Sequence, residues 1–402
     1  MENSRKYLPV NWVDGMKLNK NHFVKEHLAH TASLVKSVGS MLHPYNYGLL
    51  PYWGKTQDFK VSISTDNQNE ARVRISSFNA ITRGGYLIDL DYETIEGGYL
   101  SITLPKVDRV LASNSKEDSS YLLVLRVNPF ERTQCGSADM EELPPRLPSS
   151  LPTYSLHLMA HEDWKQWVIG DADLPIGRLH HHDGRFSVDE QFIPPCTAVY
   201  SHSVLLELHA DMERLLGKLE IASIQIIRKI IFKKQQNDMA LIVQKVCEQV
   251  YQFTAIHAGS FGISKLFQPP VILIECFIAL SRVIKNTLDI YEGLGKEELL
   301  NYWNESCDIK KGELEVQLST IANLKYNHQD ISSSVEKINF FSKYMDKLFT
   351  SMSKLEYIGK RKDAGIFVKE HQDAKDNSSS TRDFQTVEEP PVPSKRKSFF
   401  VE

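Results

Sequence analysis

Long apolar runs are scarce in this chain of 402 residues. The most apolar stretch, Val271 to Leu280, is bounded by Pro270 and by Arg282 and Lys285. It spans about half of the roughly 20 residues a bilayer crossing requires. It therefore reads as a buried bundle helix, and no direct membrane span is expected. A secretory leader is not expected either, because Met1 to Gly15 holds charges and a proline where an unbroken apolar run is needed. Basic charge is not in excess: 47 Lys and Arg face 51 Asp and Glu, so no overall field draws in nucleic acid. Cysteine is sparse. Cys135, Cys196, Cys247, Cys276 and Cys307 stand far apart with no CxxC pairing, the usage of a reduced, cytoplasmic protein in which the thiol acts as a small hydrophobe.

Motifs of chemistry are missing as well. No G-x-S-x-G, no G-x-x-x-x-G-K-[ST] and no G-x-G-x-x-G after a strand occurs. Ala258 to Gly262 reads as a small-residue turn between helices. The acid pairs Glu141–Glu142 and Glu297–Glu298 fall in loops or on solvated helix faces, without the dry pocket that turns a carboxylate into a general acid. Histidines are the remaining candidates: His180, His181 and His182 beside Asp183, with His157 and His161 upstream. Zinc needs three or four side chains converging on one point. Neighbours along a strand point to opposite faces, so an exposed turn before Gly184 explains the triplet better. No catalytic, cofactor or metal residue is assigned, and the chain reads as a non-enzyme.

What the sequence does contain is two kinds of periodicity. With 42% hydrophobic and 24% charged residues it has the composition of a soluble globular protein, and its length predicts two or three domains. From about Phe59 to Phe192 the pattern has period two. Lys60–Ser64, Arg72–Ser76, Tyr86–Leu90, Tyr99–Leu104, Tyr121–Val127 and Tyr154–Ala160 read as strands, with Gly84–Gly85 and Gly97–Gly98 supplying hairpin turns. Glu131 to Pro152, rich in proline, serine and acids, reads as a surface loop. Several short strands with turns between them suggest a β-sandwich.

After Pro194–Pro195 the period changes. Leu205, Leu208, Met212, Leu215, Leu219 and Ile226 mark one face of a first long helix. Met239, Val243, Val246, Val250 and Phe253 mark a second helix. Ile274, Phe277, Ser281, Ile284, Leu288 and Tyr291 mark a third, opened by Pro269–Pro270. Ile331, Val335, Ile338, Phe341, Met345, Leu348, Met352 and Leu355 mark a last one. The seven-residue repeat predicts helices packed side by side at shallow angles. Apolar Ile221, Ile224, Ile227 and Ile231 on further faces of the first helix favour an oligomer over a monomeric bundle. From Lys360 onward little is apolar, so a disordered tail is expected. It ends in Lys395, Arg396 and Lys397 followed by Phe399 and Phe400, the composition of a docking peptide.

Pro9-Val10-Asn11-Trp12-Val13-Asp14-Gly15-Met16, then Asn21-His22-Phe23 and Tyr47-Gly48-Leu49-Leu50, is similar to the opening of the TssK family of type VI secretion baseplate subunits. Leu174 to Leu179, Gly184-Arg185-Phe186 and Phe192 to Cys196 resemble that family's passage from shoulder to neck. The resemblance runs from Pro9 to about Tyr302. It implies an α+β protein: residues 1–190 a β-sandwich shoulder with a short N-terminal helix, and 191–305 a helical-bundle neck. Residues 306–360 would be a helical region in place of the family's head, and 361–402 the tail.

The resemblance further implies a homotrimer at the inner face of the inner membrane, its neck seam formed by Leu205, Leu208, Met212, Leu215, Leu219 and Ile226. The shoulder, with Trp12, Met16, His22 and Phe23, would bind TssF- and TssG-like baseplate subunits. The C-terminal region, with Lys395, Arg396, Lys397, Phe399 and Phe400, would bind the inner-membrane complex. Where the family head is a compact mixed domain, Lys310 onward reads as helices and a polar tail, so a reduced or replaced head of a divergent, Bacteroidetes-type system is expected. The alternatives are a phage baseplate or receptor-binding subunit of the same architecture, and a metal-dependent hydrolase using His157, His161 and His180.

Overall fold

The computed structural model describes residues 7–51, 61–65, 70–75, 77–91, 100–103, 119–160, 170–182, 185–310 and 312–359. The chain divides into two units, Met1–Gly359 and Lys360–Glu402, and all described residues belong to the first. The expectations placed on Lys60, Ser76, Gly97–Gly98, Tyr99, Leu104, His161, Asp183–Gly184 and everything from Lys360, including Lys395 to Phe400, lie outside the described residues.

Helix α1 (Lys20–Gly39) opens on Asn19, whose side chain accepts the Asn21 N–H at 2.9 Å, the usual way an orphan amide of a first turn is satisfied. Among the described residues ten strands follow, all in antiparallel sheets: β1 (Gly48–Leu49), β4 (Ser77–Ile81) and β5 (Leu87–Asp91) in order β1-β4-β5. A second sheet joins β2 (Val61–Thr65), β3 (Glu70–Ile75) and β6 (Leu100–Thr103). The third has the order β10-β9-β7-β8, from β7 (Ser119–Cys135), β8 (Ser149–Ala160), β9 (Asp173–His182) and β10 (Arg185–Val188). Phe78, Ala80, Ile88 and Leu90 are buried while Asn79 and Asp89 between them are exposed, the alternation of a sheet with one inner face. That face shares a core with Leu123, Leu125 and Ile176; on the other face of β7, Leu122 and Val124 are buried beneath Met159 and Phe192.

The helical half begins after Pro194–Pro195, which fixes the backbone and carries no amide for a helix to use. Its helices are α2 (Ser203–Phe232), α3 (Asp238–Ser264), α4 (Pro270–Asp289), α5 (Lys296–Cys307), α6 (Glu313–Ala322) and α7 (Ser332–Lys354). Helix α2 packs on α3 and α7, α4 packs on α3 and α6, and α5 on α7. Polar ties pin the packing: Ser281 Oγ donates to Leu318 O at 2.7 Å, and Lys218 Nζ to Asp346 Oδ2 at 2.7 Å. The stripes expected on α3, α4 and α7 are buried apart from the partly covered Met239, Tyr291 and Leu355, so α7 is a member of the bundle. One hydrophobic cluster runs from Tyr47 in the sheet region to Ile358 at the end of the bundle.

Three expectations are corrected. Ala258–Gly262 is not a turn; α3 runs through it, because Phe261 is fully buried and stacks on His209 at 4.8 Å, which holds a glycine-containing turn helical. Glu131–Pro152 is a loop only over residues 136–148, since β7 and β8 pair through Arg132–Pro152 and Cys135–Ser149. The triplet His180–His182 belongs to strand β9, paired with β10, and not to a turn.

Candidate functional site

Two features stand out once the fold is laid down: a joint where sheet meets bundle, and apolar surfaces the chain leaves open. The joint is built from three distant segments. Leu49 N–H donates to Pro195 O at 2.8 Å, Thr197 N–H donates back to Leu49 O at 2.9 Å, and Leu49 and Cys196 form a parallel bridge. Gly48 makes the approach possible. Its φ is +114°, and a Cβ there would lie 2.0 Å from Pro195 O, so the position admits no side chain. From the bundle, Ile331 N–H donates to Ile193 O at 3.2 Å, just before α7 begins. Arg178 of β9 ties the parts together, reaching Asp189 Oδ2 at 3.2 Å and pairing with Asp330 ahead of α7.

Beside this clasp sits a buried aromatic group. His328 Nε2 lies 2.8 Å from Tyr47 O and its Nδ1 2.7 Å from the Tyr326 hydroxyl. A backbone carbonyl only accepts, so Nε2 carries the proton and Nδ1 accepts from Tyr326. Burial lowers the His328 pKa to about 4, partly countered by the bond to Tyr47, and raises that of Tyr326. Burial also lifts the thiol pKa of Cys276 and Cys307 to about 11 and of Cys247 to about 12, as expected of thiols used as core atoms.

The N-terminal segment lies on the outside. Trp12 is 46% and Phe23 59% exposed, their rings 6.3 Å apart, and His22 stands 6.1 Å from Trp12. Met16 is half-buried. Two contacts hold this arm down: Val10 N–H donates to Glu26 at 2.7 Å, and Tyr7 stacks on Phe130 at 4.6 Å. Of the predicted group, Trp12, His22 and Phe23 are thus brought together at the surface.

Helix α2 carries two stripes, and the structure reverses the use expected of the first. Leu205, Leu208, Met212, Leu215, Leu219 and Ile226 are all buried within the single chain, by α3 and α7. A side chain already enclosed by its own bundle cannot also line a seam between chains in this conformation. The second stripe, Gly217, Ile221, Ile224, Arg228 and Ile231, keeps the same four-and-three spacing on the outer side. There Ile221 is 60% and Ile231 61% exposed. The isoleucine spacing was the only signal in the sequence that marked it.

The described histidines of the expected cluster do not form a centre. His180 Nε2 lies 3.4 Å from Asp189 Oδ2, His181 packs on Phe186, and His157 contacts Ser155 in its own strand. Among the described residues no three His, Cys, Asp or Glu side chains are grouped to hold a metal ion, and no helix is long and apolar enough to cross a membrane. Lys296, buried in a cavity of about 270 Å³, is matched by Asp289 at 2.8 Å and Glu315 at 2.9 Å, a closed charge network.

No family model matches the chain, and no curated protein matches it. Solved structures similar to it are of TssK. A crystal structure of TssK has 14% identity and a TM-score of 0.45, covering 86% of this chain and 69% of that one. TssK within the TssK-TssF-TssG baseplate subcomplex of a type VI secretion system has 14% identity and a TM-score of 0.43, covering 84% and 99%. A chain of a type VI secretion baseplate complex has 13% identity and a TM-score of 0.45, covering 84% of this chain and all of that one.

Proposed function

We propose that this chain is a non-enzymatic, TssK-like structural subunit of a type VI secretion baseplate, acting in the cytoplasm as a homotrimer. One observation carries the reading. Short motifs that resemble the family, scattered from residue 47 to residue 196, meet at one place: Gly48–Leu49 clasps Pro195–Thr197, and Arg178 of the Leu174–Leu179 motif anchors the start of α7. A clasp of backbone bonds over a φ-positive glycine is a stiff joint, which a part that transmits force between two modules needs. In this reading the strand-rich region up to about residue 190 is the shoulder, and the bundle to about 305 is the neck. Residues 306–360 complete the bundle in place of a head.

The outer stripe of α2, with Ile221, Ile224 and Ile231, replaces the inner one as the trimer seam. Trp12, Met16, His22 and Phe23 form the face for other baseplate subunits of the TssF and TssG kind. Lys395, Arg396, Lys397, Phe399 and Phe400 contact the membrane complex, a role resting on their composition. Repeating the same weak contacts three times raises the combined affinity without new chemistry. Co-purification with the baseplate subunits encoded beside it tests the proposal. Capture by the wild type and its loss in Trp12→Ala/Phe23→Ala support it; equal capture by both removes the N-terminal face, and no capture removes the baseplate role.

A further inference from the structure

Strands β7 and β8 extend past the sheet that holds their other half. Strand β9 pairs with β7 as far as Arg126, and the Val127 N–H still donates to Ala172 O at 3.1 Å; beyond Phe130, β7 and β8 form a two-stranded ribbon. Arg132 braces its base, contacting His27 of α1 at 2.8 Å and Ser150 at 2.8 Å. From Glu131 to Ser149 no side chain is buried. Two strands without a third, or a helix, to cover them are marginal in water.

The tip is nevertheless ordered by its own bonds. Asp139 N–H donates to Arg146 O at 3.3 Å, Glu141 N–H to Asp139 Oδ1 at 2.9 Å, and Arg146 pairs with Glu142. This fixed loop displays Leu143 at 94% and Met140 at 78% exposure among three carboxylates and one arginine.

A complementary surface exists on the same chain. At the C-terminal end of α1, Leu34 and Met41 are 67% and 80% exposed. Lys36 lies between them, with the exposed Arg83 on the turn that Gly39 touches through Gly84; Asp171 is the carboxylate beside that turn. Two different patches that match each other on identical chains make a head-to-tail contact, which closes into a ring where the rotation between copies is a whole fraction of a turn.

We infer that the β7–β8 ribbon is an exchange arm: the acidic, apolar tip around Met140 and Leu143 docks on the basic, apolar end of α1 in the next copy of this chain. The arm rests on the homo-oligomer reading and adds a second contact to it, away from the bundle and from Trp12 and Phe23.

The test uses the full-length protein and the variants Leu143→Asp, Glu141→Lys and Lys36→Glu, all at exposed positions. Each raises the dissociation constant of the assembly by about tenfold, and Glu141→Lys with Lys36→Glu in one chain recovers part of the loss. Hydrogen exchange gives a second readout. Amides 137–147 are protected in the assembled wild type and lose protection in Lys36→Glu, whose own tip is unaltered. An unprotected tip in an intact assembly, or variants that dissociate like the wild type, overturns the arm alone and means that the tip faces solvent or another protein. A wild type that stays monomeric overturns the arm together with the oligomer.

Discussion

The imidazole Nε2 of His328 donates to the carbonyl oxygen of Tyr47, 281 residues away and 2.8 Å distant. This bond joins the loop before α7 to the segment before β1, so the state of one ring reports on the joint. Burial keeps the ring neutral by lowering its pKa to about 4 from the ordinary imidazole value of 6.5. The unfolded chain therefore binds a proton at a higher pH than the folded one. Stability contributed by His328 is complete above about pH 6.5 and is lost as pH falls toward 4. The full difference is on the order of 3 kcal/mol. Urea denaturation between pH 7 and 4 is expected to show this slope, and His328→Gln to flatten it; an unchanged slope in the variant would place the titration elsewhere.

Gly48→Ala should be among the most damaging small substitutions. It combines a φ of +114° with a Cβ 2.0 Å from Pro195 O, and the cost is expected to be about 3 kcal/mol or more. Gly259→Ala makes the opposite case, in the interior of α3 with nothing within 4 Å of the added carbon. It is expected to stabilise by about 1 kcal/mol. Equal effects of the two alanines in thermal unfolding would contradict the clasp.

Arg178→Ala leaves Asp189 and Asp330 without their shared cation, and Asp330 is only 8% exposed. Removing one side of a buried pair costs about 3–5 kcal/mol. The joint should open before the bundle does, which hydrogen exchange at Ile193 and Ile331 would detect; uniform loss of protection over the whole chain would argue against a local role.

Replacing Ile224 and Ile231 by Asp on the outer stripe of α2 should leave the folded chain within about 0.5 kcal/mol of the wild type, since both are solvent-facing. Self-association is expected to weaken sharply. Leu215→Ala on the inner stripe should instead cost about 2–5 kcal/mol of stability. Circular dichroism melts and sedimentation separate the two effects, and a double aspartate that assembles normally would rule the outer stripe out as the seam.

The helices were the most legible part, because four stripes repeat every three and four residues and each proved to mark a real helix. Which partner a stripe faces was not legible. Leu205 and Ile221 obey the same spacing, and only packing tells that α3 and α7 cover the first and leave the second open. Strand β9 was unreadable because Pro175 and Gly177 interrupt it; the proline is tolerated where the register shifts between Leu123 and Val124. The outer ribbon of β7 and β8 has no buried face, so no apolar alternation betrayed it. The joint was visible only as motifs, since the bond from Leu49 to Pro195 links residues that no local pattern connects.

In the proposed assembly three copies of this chain meet through surfaces a single copy leaves open. Solution mass by light scattering behind size exclusion, over a wide range of dilution, tests it most directly. A species of three times the 46.0 kDa chain mass is expected, persisting on dilution and lost when Ile224 and Ile231 become aspartate. A wild-type chain of single mass at every concentration would contradict it.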